Sequence, residues 1–179
     1  MSNLEIGLPD GAEDFVGIDA QELERMRSNL LSKFKHHGCQ LVMPSLIEFS
    51  ASLGGKMNAS LKDFAYSFSD DSSSSEIAVR PDISQQIARI DIQLGNKKNQ
   101  KYCYFGETLR KTKDSLTKSR IAYKAGVELF GKINSADEIS TIKLLISSLK
   151  SLGKYKITLS LGRTEPLFTI IDGLDLSKE

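Results

Sequence analysis

Residues 77–91 read IAVRPDISQQIARID and change character in the middle. Ile77 to Val79 are apolar and largely β-branched, as a strand prefers. Pro81 then removes a backbone donor and pushes Arg80 away from helical geometry. From Ser84 onward the pattern turns helical, with Ile87, Ile90 and Leu94 on one face and Gly95-Asn96 closing the helix. Arg80, Asp82 and Ser84 fall at the break, where a strand end meets a helix start. They serve either a ligand or the fold itself, and the segments on either side bear on which.

Upstream, Ile18-Asp19-Ala20-Gln21-Glu22 predicts a helix start, with Asp19 as cap and Glu22 closing a capping box. Leu23, Met26, Leu30 and Phe34 follow at helical spacing, widened by Leu31, and Gly38 ends the helix. Gln40 to Met43 predicts a strand stopped by Pro44. A loop-rich region comes next, with a turn at Leu53-Gly54-Gly55-Lys56 and an exposed hairpin loop over Ser67 to Ser75. Downstream, strands are expected at Lys101–Phe105 and Ala122–Phe130, joined by a basic connector from Arg110 to Arg120. Ser135 with Glu138 predicts a second capping box. The helix it opens carries Ile139, Ile142, Leu145, Ile146, Leu149 and Leu152, with Gly153 just past its end. A strand over Tyr155–Leu161 and a short helix over Thr164–Asp172 complete the expected order. Few crossover helices separate the strands, so the expected fold is α+β, a largely antiparallel sheet with helices on one side.

Composition narrows the function classes. The chain has 179 residues, 26% of them charged, with a net charge of +1, which argues against a globally basic nucleic-acid binder. No apolar run approaches the roughly 20 residues of a membrane span. The acidic N-terminus has no signal-peptide core, so a cytoplasmic location is expected. Cys39 and Cys103 lie in no CxxC pair and are expected to be reduced and buried. His36 and His37 are adjacent at a helix end and point about 100° apart, which does not suit one metal. No phosphate-loop, dinucleotide, metalloprotease or serine-hydrolase signature is present. Neither a metal nor a cofactor is expected.

The strand Ala122–Phe130 is more informative. Ala122, Lys124, Gly126, Glu128 and Phe130 share one face. Two opposite charges flanking a glycine suit either solvent or a polar pocket, and spacing alone leaves both open. Arg110, at the end of the alternating run Tyr102, Tyr104, Gly106, Thr108, is a candidate partner for a carboxylate or phosphate.

Together these segments resemble the class II aminoacyl-tRNA synthetases, from about Leu8 to Leu174. Gly38-Cys39-Gln40-Leu41-Val42-Met43-Pro44 with Glu48 resembles the first signature motif, which implies a homodimer interface at Val42, Pro44 and Glu48. Arg80-Pro81-Asp82 with Ser84 resembles the histidine-recognition segment of histidyl-tRNA synthetase. Tyr104-Phe105-Gly106-Glu107-Thr108-Leu109-Arg110, with Gly126-Val127-Glu128-Leu129-Phe130-Gly131, resembles the second motif and its following strand. A closer resemblance is to the regulatory-subunit family of ATP phosphoribosyltransferase, a non-catalytic branch of the same superfamily. Leu8-Pro9-Asp10-Gly11-Ala12-Glu13-Asp14 and Leu41-Val42-Met43-Pro44-Ser45-Leu46-Ile47-Glu48 carry it. So do Arg80, Asp82, Ser84, Gln86, Ala88, Arg89 and Ile90.

The departures favour the regulatory branch. Thr112 stands where synthetases carry an adenine-holding glutamate. Ala122 stands where they carry a stacking aromatic, and Thr117-Lys118 replaces a glycine-arginine pair. The third motif is not found before Glu179, so residues 1–179 are expected to form one synthetase-like core domain, incomplete at its C-terminus. The resemblance implies a subunit with no chemistry of its own that binds and activates a catalytic subunit and transmits histidine feedback. It places Asp82, Ser84, Arg110, Lys124 and Glu128 in the histidine pocket. Lys124 replaces a glutamine there and is expected to pair with Asp82 or Glu128, in the place of the ligand's amine. The implied partners are the catalytic subunit, a second copy through motif one, and L-histidine; tRNA is not expected. A synthetase catalytic fragment and a ligand-free dimerisation scaffold are the alternative readings.

Overall fold

The computed structural model describes residues 7–53, 59–72, 74–95, 98–153 and 156–162. Two three-stranded sheets organise them. The larger is built on a long hairpin of β5 (Gln100–Leu109) and β6 (Ile121–Phe130), paired in register from Gln100↔Phe130 to Leu109↔Ile121. β1 (Gln40–Leu41) joins the outer edge of β5 in parallel. In the smaller sheet, β4 (Glu76–Val79) is central, with β2 (Ile47–Phe49) and β3 (Ser67–Ser69) antiparallel on either side. Two short helices, α2 (Ser50–Leu53) and α3 (Ala59–Phe64), link β2 to β3.

The remaining helices cover both faces of the hairpin, not one. Successive strand residues point to opposite faces, so Cys103 and its neighbours Tyr102 and Tyr104 enter different cores. Cys103 joins Leu30 and Phe34 of α1 (Ile18–His36), Cys39, and Leu144 of α5 (Ser135–Leu152). Tyr102 and Tyr104 pack instead against Ile83 and against Ile87 of α4 (Ser84–Leu94), with Val42 and Phe130 alongside. Burial pushes the Cys103 thiol up to about 11 and also raises that of Cys39.

Helix boundaries show where local signals were misplaced. Gly17, not Asp19, occupies the N-cap of α1, and it makes no side-chain cap bond. Glu22 turns to Arg25 on the exposed surface instead of closing a box. The α5 box forms one residue earlier than expected: Asn134 Oδ1 accepts from the Ala136 and Asp137 amides, and Asp137 reaches back to the Asn134 amide. On α5 the buried residues are Leu144 and Ser148, whereas Ile139, Leu145 and Leu149 of the expected stripe stay exposed. The apolar face of α5 is wider than α1 and β6 cover. Residues 156–162 form no strand, which corrects the expected strand at Tyr155–Leu161 to the extent that those residues are described. The turn at Gly54–Lys56 and the helix Thr164–Asp172 lie outside the described residues, apart from Leu53, which ends α2.

The hairpin loop ahead of β4 is exposed as expected, although Ser67–Ser69 pair with β4 as its edge strand. In the Arg110–Arg120 connector, Asp114 Oδ1 accepts from the Leu116 and Thr117 amides. β4 ends at Val79 and α4 begins at Ser84. The candidate site lies at that point.

Candidate functional site

The break at Pro81 splits its three polar residues between two jobs. Arg80 turns away from the opening and is 93% buried (7% exposed). Its Nε donates to the Glu107 carbonyl at 2.6 Å, and its Nη1 donates to the Pro44 carbonyl at 2.9 Å. Burial lowers its pKa, partly offset by Glu107 and Glu48 nearby. Arg80 thus ties β4 to the β1–β2 turn and to β5.

Asp82 and Ser84 face the hairpin. Asp82 Oδ1 accepts from the Ile83 amide at 2.7 Å and the Ser84 amide at 3.1 Å, closing the first turn ahead of α4. Its other oxygen, Oδ2, accepts from Lys124 Nζ at 2.6 Å and lies 3.4 Å from Arg110 Nη2. Burial pushes the Asp82 carboxyl up. The hydrogen bonds from Lys124 and from the Ser84 and Ile83 amides together outweigh that, and its pKa falls below the ordinary 3.8. Ser84 Oγ donates to Glu128 Oε1 at 2.6 Å. The ordinary alternation of β6 therefore aims Lys124, Gly126 and Glu128 at the N-terminus of α4. This face is a half-buried polar cluster and not a solvent face.

Tyr104 belongs to the same cluster and was not singled out from the sequence. It is buried, and its hydroxyl is within hydrogen-bonding reach of Ser84. Burial raises its pKa, and the carboxylates of Glu128 and Asp82 raise it further against the Ser84 bond. A Cβ on Gly126 would collide with the Tyr104 ring and hydroxyl. The glycine is needed because the ring lies directly over it. Cross-strand pairing of Tyr104 with Gly126 is the signal that could have found this residue.

Arg110 also donates from Nε to the Pro81 carbonyl at 3.1 Å, which orients it beside Asp82. A cavity of about 250 Å³ opens beyond it, lined by Arg110, Thr112, Lys113, Arg120, Ala122 and Lys124 among others. Asp82, Ser84 and Glu128 are not among its lining residues, so Lys124 and Arg110 stand between the cavity and the cluster. Thr112 and Ala122 offer this cavity neither a carboxylate nor a ring.

At the other expected site, Val42 packs into the Tyr102 core, the Pro44 carbonyl accepts from Arg80, and Glu48 pairs with Arg89. The exposed apolar side chains along this edge are their neighbours Leu41, Met43, Leu46, Ile47 and Phe49. Among the described residues no cluster of three metal-binding side chains occurs. No described helix is long and apolar enough to cross a membrane.

The sequence profile of the histidyl-tRNA synthetase family matches residues 11–179. A Neisseria meningitidis protein named ATP phosphoribosyltransferase regulatory subunit is 34% identical over 157 residues, covering 87% of this chain and 41% of the relative. A protein of the same name from Hydrogenovibrio crunogenus is 36% identical over 155 residues, covering 86% of this chain and 40% of the relative. The chain thus spans about two fifths of the length of these relatives. Among solved structures, an ATP phosphoribosyltransferase regulatory subunit/histidyl-tRNA synthetase from Bacillus halodurans superposes with a TM-score of 0.74 at 18% identity, over 87% of this chain and 40% of that one. Apo histidyl-tRNA synthetase from S. aureus gives a TM-score of 0.68 at 18% identity, over 82% of this chain and 34% of that one. These two likenesses show the class II synthetase-like fold. With the profile spanning nearly the whole sequence, the chain belongs to the histidyl-tRNA synthetase family.

Proposed function

We propose that this chain acts as a regulatory subunit of ATP phosphoribosyltransferase in histidine biosynthesis, binding the catalytic subunit and raising its activity. The observation that carries this reading is the 34–36% identity to proteins of that name over some seven-eighths of the chain. The site agrees with it. Asp82, Ser84 and Glu128 lie together at the start of α4, which supports an amino-acid-recognition edge, whereas the cavity beyond Arg110 has Thr112 and Ala122 where the resemblance implies adenine contacts. Adenylate formation depends on fixing phosphates and adenine in line, and most of its rate comes from that positioning. Arg110 alone does not supply it.

In this reading Asp82, Ser84, Arg110, Lys124 and Glu128 form the pocket at which histidine acts, at concentrations high enough to displace Lys124 from Asp82. Coupling then requires histidine to favour one conformation of the assembly over another. The motif-one edge at Val42, Pro44 and Glu48, with the exposed apolar Leu41, Met43, Leu46, Ile47 and Phe49 beside them, serves as the homodimer surface, and the protein works in the cytoplasm.

Reconstitution tests the reading. The chain is mixed with a short-form catalytic subunit, and phosphoribosyl transfer and co-elution are measured. A complex with raised turnover supports it. Separate elution with unchanged turnover removes it. Histidine-dependent ATP–pyrophosphate exchange by the chain would replace it with a synthetase.

A further inference from the structure

The polar cluster already holds an ammonium group, its own. Asp82 Oδ1 is taken by two backbone amides, so Oδ2 is the oxygen left to face a ligand. That oxygen receives Lys124 Nζ at 2.6 Å, with Arg110 Nη2 at 3.4 Å. The Ser84 hydroxyl is spent on Glu128. Two carboxylates, Asp82 and Glu128, thus face two cations, Lys124 and Arg110, and the cluster is neutral. Bringing a further cation into a neutral, half-buried cluster costs desolvation with no unpaired charge to offset it.

We propose that Lys124 is a tethered occupant of an ammonium-binding cluster, and that it sets the specificity of this pocket against ligands carrying a primary amine. The proposal rests on the ligand pocket assigned above. A free amino acid must displace a side-chain ammonium held on the same strand. A group tethered so closely competes at an effective concentration of at least millimolar order, so ligands at lower concentration lose. The pocket opens to an amine only where the Lys124–Asp82 pair is broken. The change needed is small in structure: replacing Lys124 by glutamine keeps a polar side chain of similar reach but leaves two carboxylates against Arg110, a net charge of −1.

The test uses the full chain alone, titrated calorimetrically with L-histidine and, separately, with 3-(imidazol-4-yl)propionate, which keeps the ring, the carboxylate and the spacing between them but lacks the amine. For the unaltered chain, L-histidine is expected to show no saturation below about 1 mM. Lys124→Gln is expected to gain roughly tenfold or more for L-histidine, with little change for 3-(imidazol-4-yl)propionate. Submillimolar binding of L-histidine by the unaltered chain overturns the proposal. A folded Lys124→Gln chain with no gain overturns it too.

Should Lys124→Gln fail to fold, acetylation rates read by mass spectrometry decide the matter. Lys124 is expected to react more slowly than Lys111 in the unaltered chain and to speed up in Asp82→Asn. Equal rates in both proteins overturn the proposal. Because no catalytic subunit is present, these results are independent of reconstitution. A chain that activates nothing yet gains histidine affinity in Lys124→Gln would sink the regulatory reading and leave this one standing.

Discussion

The two faces of the β5–β6 hairpin are held by different physics. On one, Cys103 meets Leu30, Phe34, Cys39 and Leu144, and almost every contact is apolar. On the other, the aromatic core of Tyr102 and Tyr104 gives way within two residues to the Asp82, Lys124, Ser84 and Glu128 cluster. The apolar face gains from every buried methylene and tolerates a shift of partners. The polar face depends on each donor finding its acceptor, because a buried group left unpaired costs more than the pair contributes. One strand pair therefore carries apolar burial on one side and a charge-paired polar cluster on the other.

The contrast can be broken most forcefully from the apolar side. Leu144→Ala is expected to lose about 2–5 kcal/mol, the range for emptying a buried leucine site, in urea unfolding. A smaller loss would mean that the groove beside it, lined by Leu145, Leu149 and Leu152, collapses to fill the space. Next in size is Gly126→Ala on the polar side. Its methyl meets the Tyr104 ring, so an overpacking cost of about 1–3 kcal/mol is expected in the same measurement. The Tyr104 hydroxyl should also leave Ser84, visible as a shift in its ultraviolet titration.

A smaller effect sharpens the electrostatic half. Lys124→Met is expected to cost about 1 kcal/mol at neutral pH, since Arg110 and two amides still hold Asp82. The Asp82 pKa is depressed in the folded chain, so the folded state binds fewer protons than the unfolded one at mildly acid pH. The stabilisation is then present above the ordinary 3.8 and is lost as pH falls through the lowered folded value. The difference between the unaltered and Lys124→Met chains should fade over that acid range, and carboxyl NMR should show Asp82 titrating higher in the variant. A gap that is constant with pH would mean lost packing and not lost charge. The last comparison concerns the cap of α5. Asn134→Ala should lower stability by about 1 kcal/mol or less, and Ser135→Ala should leave the melting temperature unchanged.

Much of this arrangement was legible in the chain. The strand–proline–helix break at Ile77–Asp91, the alternation of β5 and β6, and the apolar repeat of α1 all appear as read. The family resemblance rested on short motifs, and the profile match over residues 11–179 agrees with it. What periodicity missed was local in origin. Capping signals recur one or two residues apart, so Ser135 with Glu138 looked as good as Asn134 with Asp137, and Asp19 with Glu22 lay two residues inside the observed N-cap at Gly17. Only packing selects which one forms. Arg80 looked like a third member of the Asp82 and Ser84 cluster because it stands beside them in sequence. Its direction is set by the carbonyls of Pro44 and Glu107, which lie 36 and 27 residues away in the chain.

The sequence by itself determined the types of the long elements α1, α4, α5, β5 and β6, the shared face of Lys124, Gly126 and Glu128, and the presence of two opposite charges on it. Those follow from local rules with periods of 2 and 3.6 residues. The choice of partner needed the tertiary structure. Whether that face meets solvent or the start of α4, and whether Lys124 takes Asp82 or Glu128, depends on contacts 42 residues apart and on the 2.6 Å geometry they close. No local pattern encodes that distance, because it is fixed by how the whole sheet and its two covering layers pack.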